Sequence, residues 1–267
     1  YLTKSGCRGK IIPCSRIFFP ANLVKRSLPH GTVASTCKRH FLRPGLDLGL
    51  SPSGDWEFTQ PAQKLFNWEV YQSLPKERTA AVRKEANDYL EAHHHISTLE
   101  EEYDRMLQYF TIVAQKLPEL GATRQDIEAT ALEKVYQSQH TYNLMEDAIP
   151  TLEALKGRCK LGIISDTWPS IVAGAGTLLA SCPIFDAITY SFQLGCFKPN
   201  PRMFQDALSK MGLPAQECVF IDDVARNLEG AAKVGIQPVQ IRVKPDADPC
   251  PQGMASIGKI SGILELL

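Results

Sequence analysis

The chain has 267 residues, of which 44% are hydrophobic and 22% charged, and its formal net charge is zero. A chain of this length can bury about 75% of its unfolded surface, so it needs no disulfide bonds to hold a core. The sequence contains no apolar run of about 18 residues, which excludes a membrane-spanning helix.

The charges are unevenly distributed. Residues 1–46 contain nine Lys and Arg but no Asp or Glu, so the remainder carries 20 basic and 29 acidic residues. This acidic excess argues against a nucleic-acid partner for the main body. The basic segment shows no clear period, and we expect residues 1–46 to be a disordered leader, from an altered reading frame or as an organellar transit peptide.

The eight cysteines form no Cys-x-x-Cys pair and several lie in apolar runs, which indicates reduced thiols. We therefore expect a cytoplasmic protein, or an organellar one if the leader is a transit peptide.

Residues 61–146 show an almost wholly helical pattern. Ala81, Val82, Ala86, Tyr89 and Leu90 recur at the spacing of one helix face. The pattern predicts a compact helical module of three or four helices.

Capping signals mark two of the helix starts. Ser97 followed by Glu100 matches a capping box, and Thr123 with Asp126 indicates the start of the next helix.

The run His93-His94-His95 follows the helical pattern that includes Tyr89 and Leu90. Consecutive helical residues do not converge on one ion, so we expect a solvated helix end rather than a metal site.

After residue 147 short apolar runs alternate with helical segments. The runs KLGIIS, AITYS, CVFID and QPVQIR are separated by the patterns PRMFQDALSKMG and RNLEGAAKVG. This alternation predicts an α/β fold with a parallel sheet covered on both faces. In such sheets ligands bind beyond the carboxyl ends of the strands.

Candidate ligands for a phosphate and a cation follow these apolar runs. Asp222 and Asp223 end one run, and adjacent carboxylates repel each other unless a cation such as Mg²⁺ or a proton lies between them. Ser165, at the end of KLGIIS, offers a hydroxyl at a turn that suits phosphate oxygens. Lys198, just before Pro199, supplies a compact positive charge.

The order of these motifs resembles the haloacid dehalogenase-like hydrolase superfamily. Ser165, then Lys198-Pro199, then Asp222-Asp223 with Asn227 are similar to the second, third and fourth motifs of that family. The resemblance spans about residues 47–245. It implies a Rossmann-like core of residues 47–60 and 147–267, with a helical cap at 61–146 inserted between the first and second motifs.

The resemblance also implies roles for individual residues. Ser165, with Asp166 and Thr167, would bind the phosphoryl group of a small phosphorylated substrate, and Lys198 would neutralise the nucleophile and the phosphoryl oxygens. Asp222 and Asp223 would hold Mg²⁺.

Asn227 would orient Lys198 or the acidic pair. The implied activity is a Mg²⁺-dependent phosphohydrolase that forms an aspartyl-phosphate. The sequence leaves the substrate and the oligomeric state open.

The first motif of the family, an apolar strand ending in Asp-x-Asp, departs from the pattern. The nearest match makes Asp47 the nucleophile and a metal ligand, but Gly49 stands where the general acid is expected. Pro44 lies in the preceding run and is poorly tolerated in a central strand.

Three explanations for this departure remain open. A changed reading frame could have overwritten the strand, the chain could be a divergent or inactive member, or Asp47 could work in an unusual setting. Two alternative functions therefore stand beside the phosphatase: a non-catalytic binding or regulatory protein, and a 2-haloacid dehalogenase, which has little use for Asp222 and Asp223.

Overall fold

The computed structural model describes residues 58–137, 145–173, 184–242 and 249–266, together with the backbone of residues 15–20. Within these residues one sheet has six strands in the order β3-β2-β1-β4-β5-β6. The strands are β1 (Ser15–Pro20), β2 (Gly162–Ser165), β3 (Ala187–Tyr190), β4 (Cys218–Asp222), β5 (Gln237–Ile241) and β6 (Ala255–Ile257).

The helices form two groups in the chain: the first lies between β1 and β2, and the second begins just before β2 and alternates with the later strands. The first group is α1 (Gln60–Leu65), α2 (Trp68–Ser73), α3 (Lys76–Ala92), α4 (Leu99–Lys116) and α5 (Arg124–Leu132), which continues into a π-helical turn at Glu133–Gln137. The second group is α6 (Ala148–Leu155), α7 (residues 169–173), α8 (Ser191–Leu194), α9 (Pro201–Met211) and α10 (Ala225–Lys233). Single 3₁₀ turns lie at Pro118–Leu120, Ala215–Glu217 and Ile260–Glu265.

The sheet is parallel, as predicted, except at β1. This strand lies between β2 and β4 and is antiparallel to both, with Ser15 opposite Ser165 and Phe18 opposite Phe220. Because β2 and β4 both oppose β1, they run in the same direction and end at the same edge of the sheet.

Residues 15–20 depart from the disordered leader that we expected over residues 1–46. The run Ile17-Phe18-Phe19 consists of good strand formers, and β2 and β4 offer backbone hydrogen bonds on both sides of it. The rest of that leader lies outside the described residues, as do Asp47 and Gly49.

Two apolar layers cover the two faces of the sheet. Val219 and Ile221 of β4 pack in one layer with Leu152 of α6, while Phe220 packs in the other with Phe204 of α9. This alternation is the period-2 pattern of a strand buried on both faces. Burying one such large side chain stabilises the fold by about 1.5–3 kcal/mol.

The predicted helical module has its own apolar core. Phe58, Phe66 and Phe110 contact one another with ring centroids 5.4–5.6 Å apart. Val82, Ala86 and Leu90 of α3 join this core and Tyr89 packs against it, as the predicted helix face required, whereas Ala81 is exposed. The core also includes Trp168, Ile171 and Phe192 from the sheet domain, so the helical cap packs directly against the sheet domain.

The capping signals are confirmed at one helix and displaced at the other. Thr123 and Asp126 form a reciprocal capping box at α5. At α4 the capping box is formed by Thr98 and Glu101, one residue after the predicted Ser97 and Glu100. No helix of the described residues is both long and apolar enough to cross a membrane.

Candidate active site

The predicted site residues of β2 and β4 lie at one edge of the sheet. Ser165 is the last residue of β2 and Asp222 the last of β4, and the side chains of both are fully buried. Asp166 and Thr167 follow β2 in the loop before α7, and Asp223 follows β4. The shared direction of the two strands therefore brings together segments that are more than 50 residues apart in the chain.

Lys198 links the two strand ends. Its Nζ donates to the backbone oxygen of Ile164 at 3.0 Å and lies 3.4 Å from Oδ2 of Asp222. Its backbone N–H donates to Oδ1 of Asp166 at 3.0 Å. The Lys198 and Asp222 side chains are both excluded from solvent, so their attraction acts in a medium of low dielectric constant.

The Asp222 carboxylate accepts hydrogen bonds at both oxygens. The backbone N–H of Val224 donates to Oδ1 at 2.7 Å, and Asn227 Nδ2 donates to Oδ2 at 3.1 Å. These donors, with Lys198, offset the cost of burying the charge. Asn227 thus contacts Asp222, the first residue of the acidic pair, directly.

Asp223 has a different environment from Asp222. The residue is partly exposed although its Oδ1 is buried, and its backbone oxygen accepts a hydrogen bond of 3.3 Å from Nε2 of Gln240 on β5. Asp166, Lys198, Asp222 and Asn227 thus form one hydrogen-bonded chain, and Asp223 borders it. Asp47, the predicted nucleophile, lies outside the described residues.

Thr167 is held by a residue that the sequence analysis did not single out. Its backbone N–H donates to Oγ of Ser191 at 2.8 Å, and that hydroxyl donates to the Thr167 oxygen at 3.1 Å. Oγ of Ser191 also lies 2.7 Å from Nε2 of His94, in the loop between α3 and α4. The solvated helix end that we expected at the triple histidine is therefore wrong for His94, which is only 1% exposed.

A second contact joins the cap to the loop after β2. Glu102 of α4 accepts hydrogen bonds from the backbone N–H of Ser170 at 2.7 Å and from its hydroxyl at 2.6 Å. Burial raises the pKa of the Glu102 carboxyl, and the two bonds from Ser170 and the charge of Lys134 act in the opposite direction. No local sequence signal distinguishes Glu102 from its acidic neighbours Glu100 and Glu101.

The side-chain oxygens at this edge of the sheet are suitable ligands for a magnesium ion that also binds a phosphate. No group of three or more His, Cys, Asp or Glu that could hold a metal occurs among the described residues. Mg²⁺, however, is usually bound by one or two protein carboxylates, with waters and substrate phosphates completing its shell. Asp222 and Asp223 supply two carboxylates, and the buried Oδ1 of Asn227 has no hydrogen-bond donor among the described residues.

Comparisons with known proteins agree with this architecture. Over residues 57–235 the chain matches the family model described as haloacid dehalogenase-like hydrolase. Its fold resembles that of a 2-haloacid dehalogenase from Pseudomonas syringae pv. Tomato DC3000, with a TM-score of 0.53 and 21% identity, over 77% of this chain and 88% of that one.

Two relatives by sequence are named as phosphatases. One is phosphatase MT3486 of Mycobacterium tuberculosis, 30% identical over 43% of this chain and 54% of its own length. The other is a glyceraldehyde 3-phosphate phosphatase of Methanopyrus kandleri, 28% identical over 36% of this chain and 42% of its own length. The matched segments span about half the length of these relatives or less. The family model covers well over half of the chain, and the protein belongs to the haloacid dehalogenase-like hydrolases.

Proposed function

We propose that this hydrolase is a Mg²⁺-dependent phosphatase of small phosphorylated metabolites that acts through an aspartyl-phosphate. The observation that supports it most is the buried Lys198, whose Nζ lies between the ends of β2 and β4 and 3.4 Å from Asp222. The phosphatase names of two relatives agree with it. We place the activity in the cytoplasm.

The last residue of β2 and the two residues after it would bind the phosphoryl group. The Ser165 hydroxyl would donate to one phosphoryl oxygen, and the Asp166–Thr167 backbone would border the same group. The Lys198 ammonium would neutralise another oxygen. A cation about 4 Å from an anion is worth about 4 kcal/mol at an effective dielectric constant of 20.

The residues after β4 would hold the metal. Asp223 would be the main Mg²⁺ ligand, with Asp222 binding the ion or its waters and Asp47 completing the protein ligands. The bound ion would neutralise charge on the transferring phosphoryl group. Asn227 keeps the Asp222 carboxylate in one orientation through its Nδ2 hydrogen bond.

Asp47 would act as the nucleophile. One carboxylate oxygen attacks phosphorus in line while the bond from phosphorus to the leaving oxygen breaks, and the leaving oxygen takes a proton. Water then attacks the aspartyl-phosphate, which releases inorganic phosphate and restores the carboxylate. Gly49 cannot supply the proton, so we expect a rate about 10²–10⁴-fold below that of a site with a general acid there.

Hydrolysis of p-nitrophenyl phosphate by the full chain tests the proposal. We expect turnover that requires Mg²⁺ and is abolished by Asp223→Ala, whereas Glu229→Ala, an exposed residue of α10, keeps the full rate. Asp223 is a sharper test than Lys198 because Lys198 is buried, and its removal would also destabilise the fold.

The other outcomes of the same assay identify the alternatives. Halide release from 2-chloropropionate without Mg²⁺ would replace the phosphatase by a dehalogenase. Thermal stabilisation by phosphate without turnover would indicate a non-catalytic binding protein.

The substitution Gly49→Asp tests the role of the first motif. If Asp47 is the nucleophile, a carboxyl two residues later restores the general acid, and kcat should rise by about 10²-fold or more. The double variant Asp47→Asn/Gly49→Asp should then be inactive. An unchanged rate in Gly49→Asp would remove Asp47 from the mechanism.

A further inference from the structure

His94 of the cap occupies a buried position between two segments of the candidate active site. Its ring stacks on Phe197 with centroids 3.9 Å apart and meets Trp168 edge-on at 4.5 Å. Phe197 immediately precedes Lys198, and Trp168 follows Thr167. The imidazole therefore touches both segments that carry the predicted phosphate ligands.

The hydrogen bonds around Ser191 fix the tautomer of His94. The Ser191 hydroxyl has a single proton, which it donates to the Thr167 oxygen at 3.1 Å. The 2.7 Å contact with His94 is then satisfied only if Nε2 carries a proton and donates it to Oγ. With the Thr167 N–H as a second donor at 2.8 Å, Ser191 accepts two bonds and donates one.

Burial keeps the imidazole neutral. It lowers the pKa of His94 to about 3, so the neutral imidazole persists at physiological pH. His94 is therefore a donor to Ser191 and carries no charge that could attract the phosphate itself.

The two residues that follow His94 fix its loop to the core. The backbone N–H of Ile96 donates to the Phe192 oxygen at 3.1 Å. His95 lies so close to Gly195 that a Cβ added there would come within 2.9 Å of the His95 Cβ. The cap thus contacts the 191–197 segment through three consecutive residues, His94, His95 and Ile96.

We propose that His94 is a positioning residue of the active site: acting through Ser191 on Thr167, and by stacking on Phe197, it holds the Ser165–Thr167 loop and Lys198 at the separation that a phosphoryl group requires. The inference rests on the proposed phosphatase function. It assigns to the helical cap a part in the geometry of the phosphate site. Misplacing a reacting group by about 1 Å costs up to about 10²-fold in rate, so a side chain without substrate contact can still control turnover.

The test compares three variants in the p-nitrophenyl phosphate assay with Mg²⁺. His94→Leu keeps the apolar volume but removes the donor, His94→Gln keeps an amide donor near the position of Nε2, and His93→Gln changes the exposed neighbour. We expect kcat/KM to fall about 10–100-fold in His94→Leu, to recover to within about threefold of the parent in His94→Gln, and to stay constant in His93→Gln.

The inhibition constant of inorganic phosphate separates positioning from stability. A purely structural role would lower the melting temperature but leave kcat, KM and phosphate inhibition unchanged in the folded fraction. A positioning role raises the phosphate inhibition constant about tenfold in His94→Leu. Constants within twofold of the parent in folded His94→Leu would overturn the inference.

If His94→Leu folds poorly, a second variant provides the test. Ser191→Ala removes only one buried hydroxyl and should raise the phosphate inhibition constant in the same direction; an unchanged constant overturns the inference. A parent chain with no turnover refutes the proposed function and this inference with it. An active parent and an unaffected His94→Leu refute the inference alone.

Discussion

Buried ionisable side chains dominate the active-site edge, and they differ in the hydrogen bonds that surround them. Asp222 is surrounded by donors, whereas His94 has its Nε2 bonded and its Nδ1 buried without a partner among the described residues. A neutral imidazole tolerates such a position better than an imidazolium, which would need an acceptor there. The imidazole of His94 should therefore remain uncharged when the pH falls below the usual pKa of a histidine.

His94 should make the stability of the protein depend on pH. The unfolded chain binds a proton at His94 near pH 6.5, but the folded chain does so only near pH 3. The contribution of His94 to stability is therefore fully present above pH 6.5 and is lost as the pH drops towards 3, with a slope approaching about 1.4 kcal/mol per pH unit.

Urea denaturation of the parent and of His94→Gln at pH 7, 6 and 5 measures this contribution. The free energy of unfolding should fall less steeply with acid in His94→Gln than in the parent. The raised pKa of Glu102 acts in the opposite direction in both proteins, so it cancels in the comparison. Equal slopes in the parent and His94→Gln would contradict the prediction.

The position of α10 against the Lys198–Pro199 turn depends on a glycine. A Cβ at Gly230 would lie 2.6 Å from the Cβ of Pro199 and 3.0 Å from its oxygen. Glycine within a helix ordinarily costs about 0.5–1 kcal/mol relative to alanine. At Gly230 a Cβ has no room beside Pro199, so the clash that alanine would introduce outweighs the gain in helix propensity.

We therefore expect Gly230→Ala to destabilise the protein, against the usual helix preference. Overpacking costs about 1–3 kcal/mol, and relief of the contact would displace Lys198, so kcat should fall as well. Thermal unfolding and the phosphatase assay measure both effects. Glu229→Ala, on the exposed side of α10, should change stability by less than about 0.5 kcal/mol. Stabilisation by Gly230→Ala would show that the turn yields without cost.

The elements that the sequence predicted well are those with strong local patterns. KLGIIS and CVFID became β2 and β4, and the helices between the later strands followed their amphipathic patterns. Ser165, Lys198 and Asp222 could be identified because each stands beside such an element. The capping box at α4 was displaced by one residue because Ser97–Glu100 and Thr98–Glu101 fit the same spacing.

The features that the sequence did not reveal depend on distant contacts. The strand β1 pairs with segments about 145 and 200 residues later, and nothing in SRIFFP specifies those partners. The bond between His94 and Ser191 joins residues 97 positions apart. In the sequence His94 is the middle of three consecutive histidines, and nothing in that run shows that this one is buried while its neighbours are exposed.

At the scale of the whole molecule, β1 joins the two halves of the sheet. It provides the pairing between the β3-β2 pair and the β4-β5-β6 group. Removing it would leave the facing edges of β2 and β4 without their present partner and open to pairing with other chains.

Truncation tests this role of β1. A chain that lacks residues 1–20 should lose its cooperative thermal transition or aggregate, whereas a chain that lacks only residues 1–14 should unfold like the parent. Circular dichroism and light scattering measure both. Identical transitions in the two truncated chains would show that β1 is dispensable for the sheet.

Through Glu102, the cap supplies a hydrogen-bond acceptor to the first turn of α7 in the sheet domain. The amide of Ser170 lies at the start of α7, and its acceptor comes from α4, 68 positions earlier in the chain. Any separation of the cap from the sheet domain must break this bond and expose the buried carboxyl group of Glu102 to water. Deuterium uptake at the Ser170 amide should therefore report how often the cap lifts, and Glu102→Ala should accelerate that uptake while amides within β4 keep the parent rate.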